Sequence, residues 1–276
     1  MQSLKYSIRT YIAAFLLLLL ALSSAAMADG FVIKPKLYVL SVGVSDYEDD
    51  QLDLQFAAKD ASDFATTIQA HSGDLYREIS VNTLTDPTSD ELLAGLDWLR
   101  NEVTSKDIAM FFLAGHGVND HKGNYYFLTK DAEIDRMRRT AIEYHDIHRT
   151  LTNLPGTTLL FIDTCHSDSI RKPNQTATDL TPVINNLTNE ANRLTVFASA
   201  AAAQYSLEDP GWNNGAFTKA LIEGLSGKAD YTGDGYVTLN QLDLYMAERV
   251  KALTGNRQTP ITTRPASFED LTIGVN

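Results

Sequence analysis

The chain has 276 residues, 44% hydrophobic and 21% charged, and its 35 acids against 23 bases give a formal net charge of −12. That length suffices for one large α/β domain. The acid excess gives no general attraction for nucleic acid or anionic lipid, which disfavours both as partners, and it suits a basic substrate.

Residues 1–28 carry a positive start at Lys5 and Arg9, an apolar run from Ile12 to Leu22, and the small-residue sequence Ala-Met-Ala before Asp29. This is the pattern of a secretory signal peptide, and the apolar run is shorter than the roughly 20 residues a spanning helix needs. The expectation is an exported protein, periplasmic or secreted, with a mature domain over 29–276 and no membrane contact once the signal is removed. With two of the 23 bases gone and all 35 acids kept, that domain carries −14.

Further on, "LYVLSVGVSDY" (37–47) reads as a buried strand running into a polar turn, and residues 52–70 show helical spacing at Leu54, Ala57, Ala58, Ala61, Phe64, Ala65 and Ile68. "EISVNTLT" (78–85) alternates as a strand, and "DPTSDELLAGLDWLRNEV" (86–103) opens with Pro and a Ser/Asp cap before an amphipathic helix. "DIAMFFLAGHG" (107–117) is a third strand ending in a Gly-His-Gly turn, "NYYFLT" (124–129) a short aromatic strand, and "AIEYHDIHRTLTNL" (141–154) a helix. "GTTLLFID" (156–163) is the strand that leads to Cys165, and a long polar loop follows from Ser167 to about Arg193. "LTVFASA" (194–200) is a further strand, and helices follow at "NGAFTKALIEGLSG" (214–227) and "TLNQLDLYMAERVKAL" (238–253). Alternating strands and helices imply one α/β domain whose mainly parallel sheet is covered on both faces.

Ligands of such sheets bind outside the carboxyl ends of the strands. His116 and Cys165 both fall at such ends. Cys165 is the only cysteine, so an internal disulfide is excluded, and a lone thiol in an oxidising compartment is a liability unless it reacts. An imidazole beside a thiol promotes the thiolate and can protonate a leaving amine. His166 is a rival base, but consecutive strand residues face opposite ways. By the same alternation Asp163 shares a face with Cys165. A carboxylate so close to a thiol calls for a cation, and a substrate Arg or Lys side chain supplies one.

"YVLSVGVSDY", "KDASDFA", "FFLAGHG", "YYFLTKDA", "FIDTCHSD" and "GAFTKALIEGL" together resemble, in order, the blocks of caspase-like cysteine peptidases, with the closest likeness to bacterial metacaspase-like (orthocaspase-like) proteins. The resemblance implies a three-layer α/β/α sandwich with a mainly parallel, about six-stranded central sheet. It implies Cys165 as nucleophile, His116 as general acid and base, and the N–H groups of Gly117 and Cys165 as the oxyanion hole. It implies that Asp163 and Asp60 receive a basic side chain, so that peptides or proteins are cut after Arg or Lys. Enzymes of this type are often cut in the segment after the catalytic strand, which makes Arg171 and Lys172 self-cleavage candidates. Two positions depart from the family: Asp168 stands where Gly is common, and Ala114 where Ser or another polar residue is frequent. The competing function is a silent pseudo-peptidase that uses the same fold to bind or scaffold.

Residues 230–241, "DYTGDGYVTLNQ", place Asp230, Thr232, Asp234, Gly235 and Thr238 at ligand-loop positions 1, 3, 5, 6 and 9 of an EF-hand. Gln241 at position 12 cannot give the bidentate carboxylate. A structural turn is the first reading and weak calcium binding the second. Asp131 is the one further residue that matches a calcium ligand of relatives. No cofactor is required by the expected chemistry. His71, His121, His145 and His148 form no metal pattern, and the sequence gives no oligomeric state.

Overall fold

The computed structural model describes residues 33–165, 193–199, 207–265 and 270–275. The chain divides between Lys34 and Pro35, and the account below concerns the compact unit from Pro35. The signal pattern, His166, Asp168, Arg171 and Lys172 lie outside the described residues.

The first strand, β1 (Lys36–Gly43), is buried at every position but its first. A loop with one 3-10 turn (Asp50–Leu52) leads to α1 (Ala57–His71), whose buried face holds Ala57, Asp60, Ala61, Phe64, Ala65 and Ile68. Strand β2 (Glu78–Thr85) is partly exposed throughout, as an edge strand is. Helix α2 (Ser89–Glu102) starts one residue earlier than Ser89 as cap would give. Thr88 is the N-cap, and it exchanges hydrogen bonds with Glu91 in a capping box.

Strand β3 (Ile108–Asn119) is buried at all 12 positions. It does not stop at a Gly-His-Gly turn; it pairs with β6 as far as His116, then changes direction and pairs with β4 (Tyr125–Phe127) from Gly117 onward. Gly115, at φ +151°, supplies the backbone conformation that lets the strand change partners. After α3 (Met137–Thr140), the expected helix over 141–154 begins instead as β5 (Ile142–Glu143), because Ile142 pairs back onto Phe127. Only α4 (Tyr144–Thr152) is helical. Strand β6 (Thr157–Cys165) follows, then β7 (Leu194–Ala198). The two-residue strands β8 (Glu208–Asp209) and β9 (Asn214–Gly215) pair with each other, so α5 (Ala216–Glu223) starts two residues later than the sequence pattern. A π-turn (Gly224–Lys228), β10 (Tyr236–Thr238), α6 (Leu239–Thr254), β11 (Ile261–Thr263) and β12 (Thr272–Val275) complete the fold.

The central sheet runs β11-β7-β6-β3-β1-β2, with β4 and β5 as an extension from β3. The pairs β1–β2, β1–β3, β3–β6 and β6–β7 are parallel, and β11 closes one edge antiparallel. On one face Leu92, Leu96 and Leu99 of α2 and Ile147 and Leu151 of α4 pack over Leu40, Phe111 and Leu160. On the other, Phe64 and Ile68 of α1, Phe217 and Leu221 of α5 and Met246 and Val250 of α6 cover Val39, Phe112 and Phe161. Burying strands on both faces is why β1, β3 and β6 read as continuous apolar runs. Among the described residues no helix is long and apolar enough to cross a membrane.

Candidate active site

The β3–β6 ladder sets His116 and Cys165 directly opposite each other as Cα partners. Paired positions on neighbouring strands are about 4.8 Å apart, so the two candidate residues of separate motifs meet at one point of the sheet. The His116 side chain is buried, 3% exposed. Its Nε2 lies 2.8 Å from the Leu52 carbonyl oxygen. A carbonyl only accepts, so Nε2 carries the hydrogen and Nδ1 is the basic nitrogen of the neutral ring. The His116 backbone N–H donates to the Tyr47 hydroxyl at 3.1 Å, and the Tyr47 ring lies 5.4 Å from the imidazole. A Cβ on Gly117 would overlap the Tyr125 hydroxyl, so glycine is required there by close approach.

The loop between β1 and α1 that presents Tyr47 and Leu52 is pinned from several sides. Asp86, at φ +51°, accepts from Ser45 N–H at 2.7 Å and Asp46 N–H at 2.9 Å. Asp53 accepts from Tyr47 N–H at 3.0 Å, and the Ser45 hydroxyl accepts from Ala58 N–H at 2.9 Å.

Two of the acids expected from sequence, Asp60 in the first turn of α1 and Asp163 on β6, are brought together. A Cβ on Gly215 would lie 3.1 Å from Asp60 Oδ2 and 2.9 Å from Asp163 Oδ2, so the two carboxylates flank that glycine. Asp163 Oδ2 accepts from the Thr218 hydroxyl at 2.6 Å and the Thr218 N–H at 3.3 Å. Asp60 accepts from Asn214 Nδ2 at 2.8 Å and Gly215 N–H at 3.1 Å. Burial first, and then the charge of Asp163, push the Asp60 carboxyl up to about 8 against the pull of those two hydrogen bonds.

A third acid joins them. Glu208 on β8 accepts from Gln55 N–H at 3.1 Å and Phe56 N–H at 3.3 Å. Burial, aided by Asp163, raises its carboxyl above the ordinary range in spite of those bonds. The sequence reading missed Glu208: it lies in a two-residue strand with no periodic pattern, 153 positions from Gln55.

The loop 230–241 closes on itself. Asp230 accepts from Thr232 Oγ1–H at 3.1 Å, Gly233 N–H at 2.7 Å and Gly235 N–H at 2.9 Å, and Asp234 accepts from Tyr236 N–H at 2.9 Å. The Thr238 hydroxyl caps α6, and Gln241 Nε2 donates to Thr232 Oγ1 at 3.2 Å. Asp131 accepts from Ser89 N–H at 2.9 Å and from the Ser89 and Thr129 hydroxyls at 3.1 and 2.8 Å, anchoring the start of α2. Among the described residues no group of three or more His, Cys, Asp or Glu is placed to hold a metal ion.

The family model of the caspase domain matches residues 36–271. The chain belongs to the caspase-domain family. Two solved structures share the fold of this caspase domain. A Geobacter sulfurreducens protein has a TM-score of 0.59 at 17% identity, covering 83% of this chain and 93% of its own. The Drosophila initiator caspase Dronc has a TM-score of 0.54 at 12% identity, covering 89% of each. No curated protein matches the chain. The family is one of cysteine peptidases, and the sheet of this domain, mostly parallel and flanked by helices, is the caspase-like architecture.

Proposed function

We propose that this caspase domain is an exported cysteine endopeptidase, metacaspase-like in preferring Arg or Lys before the cut bond. The observation that carries the reading is the register pair of His116 and Cys165, with buried Asp163 two residues before Cys165 on the same strand and buried Asp60 and half-buried Glu208 gathered near Asp163. The Cys165 thiolate attacks the scissile carbonyl carbon, and the negative oxygen that forms is held by the N–H groups of Gly117 and Cys165. His116, holding the thiol's proton, gives it to the departing amine, which leaves an acyl-enzyme thioester. Water then attacks the thioester, His116 takes its proton, and the acid product and free thiol are released. A guanidinium or ammonium group of the substrate would pair with these acids by charge and, for Arg, through its planar fork. The pairing of His116 with Cys165 favours turnover over the pseudo-peptidase reading.

The proposed chemistry needs no metal, and loop 230–241, closed on its own side chains, is taken as a structural turn. Export rests on the pattern of residues 1–28, and acidic charge argues against nucleic acid as a partner. Slow self-cutting after Arg171 or Lys172 belongs to the same proposal, and it should disappear in Cys165→Ala. The test is covalent labelling with an arginyl chloromethyl ketone under reducing conditions. Intact mass should show one adduct on the wild type, located at Cys165, and none on Cys165→Ala or His116→Ala. An adduct elsewhere, or equal labelling of folded His116→Ala, contradicts the dyad.

A further inference from the structure

The loop between β1 and α1 holds His116 at both its ring and its backbone N–H. Leu52 takes its Nε2 hydrogen at 2.8 Å, and the Tyr47 hydroxyl takes its backbone N–H at 3.1 Å. The Tyr47 ring sits 5.4 Å from the imidazole at an interplanar angle of 35°. Tyr47 is 3% exposed and belongs to the core on that face of the sheet. Its hydroxyl also lies 3.2 Å from where a Cβ on Gly115 would stand, against the point where β3 changes partners. His116 is thus the residue where one strand leaves β6 and begins to pair with β4, and a backbone N–H at such a break needs an acceptor from elsewhere.

We propose that Tyr47 is a positioning residue for the acid–base step: its hydroxyl fixes the His116 backbone and its ring fixes the imidazole plane, so that Nδ1 is presented in one orientation. The proposal rests on the reading of His116 as the catalytic imidazole. Tyr47 is itself held by Asp53 through the N–H bond of 3.0 Å, and Asp53 is exposed, so the clamp can be loosened without disturbing the core. A small error in the placing of a reacting group costs rate far more than binding, about 10- to 100-fold.

The test compares wild type, Tyr47→Phe, Asp53→Ala and Asp53→Asn. Tyr47→Phe keeps the ring and removes the acceptor, and should lower kcat on an arginyl reporter by about 10-fold with KM within about two-fold. Asp53→Ala should move kcat the same way by less, and Asp53→Asn, which keeps an accepting oxygen, should restore it. The second readout is the pH profile of Cys165 alkylation by iodoacetamide, which follows the thiolate. In Tyr47→Phe its inflection should move toward the free-thiol value of about 8.5. A role confined to stability would lower Tm and leave kcat and the alkylation profile of the folded protein unchanged. If His116→Ala alkylates like wild type, the dyad reading fails. If His116→Ala differs while Tyr47→Phe and Asp53→Ala both behave as wild type, the dyad stands and the tyrosine proposal is overturned.

Discussion

Asp60 and Asp163 are two carboxylates flanking Gly215, with different surroundings. Asp163 sits at the first turn of α5, where the Thr218 N–H and hydroxyl both donate to one oxygen and the helix terminus favours its charge. Asp60 faces Asn214 and Gly215, and it is the one whose carboxyl is pushed up to about 8. Under the proposed function, Asp163 is the acid that pairs with the substrate cation. Asp163→Asn should weaken the preference for Arg and Lys over a neutral side chain by about 2–5 kcal/mol in kcat/KM, because the substrate cation is left without its ionic partner. The check is a pair of reporter peptides, one arginyl and one citrullinyl, on both proteins; an unchanged ratio contradicts the assignment. Both these acids were legible in the sequence, Asp163 from its position two residues before Cys165 and Asp60 from the block "KDASDFA". Glu208 was not, because only the tertiary approach of β8 to the start of α1 brings it near Asp163.

Among the elements, long ones were read well and short ones poorly. Strands β1, β3 and β6 announce themselves by apolar runs, and α2 and α6 by spacing and caps. Strands β5, β8 and β9 have two residues each, too few for any period to show, and they exist only through their partners. The loop before α6 is an instructive case. Its EF-hand spacing was visible, but in the fold Gln241 uses its side-chain oxygen on Thr238 N–H at 2.8 Å and its amide on Thr232. The amide group bridges positions that a calcium ion would otherwise join. Wild-type Tm should stay within a degree when millimolar calcium is added. Gln241→Glu keeps the capping box and supplies the missing carboxylate, and should gain a calcium-dependent rise in Tm of a few degrees. A calcium-dependent rise in the wild type, or none in the variant, contradicts this account.

At the level of the whole molecule, the raised carboxyls of Asp60 and Glu208 make the protein less stable as pH rises. The carboxyls of Asp60 and Glu208 hold protons in the folded state at pH values where the unfolded chain releases them. Stability falls with pH wherever the folded state binds more protons, here from about 4 up to about 8. Glu223 has the opposite sign: burial pushes it up, but hydrogen bonds from Arg249, Tyr245 and Lys228 outweigh that and hold it at about 2. Its stabilising contribution is complete above about pH 5, so it adds no slope at neutral pH. Thermal melts of the Cys165→Ala protein should therefore decline from pH 6 to pH 8.5. A reversible arginyl ligand should raise Tm more at pH 8.5 than at pH 6, because the cation takes over from the proton. A flat or rising melt over that range contradicts the linkage.

The central claim, a cysteine peptidase of basic specificity, is tested most directly by steady-state hydrolysis of matched Arg, Lys and Asp reporter peptides under reducing conditions. Purified protein lacking residues 1–28 should cleave the Arg and Lys peptides, leave the Asp peptide intact, and lose all cleavage in Cys165→Ala. Preference for the Asp peptide, or equal cleavage by wild type and Cys165→Ala, would contradict it.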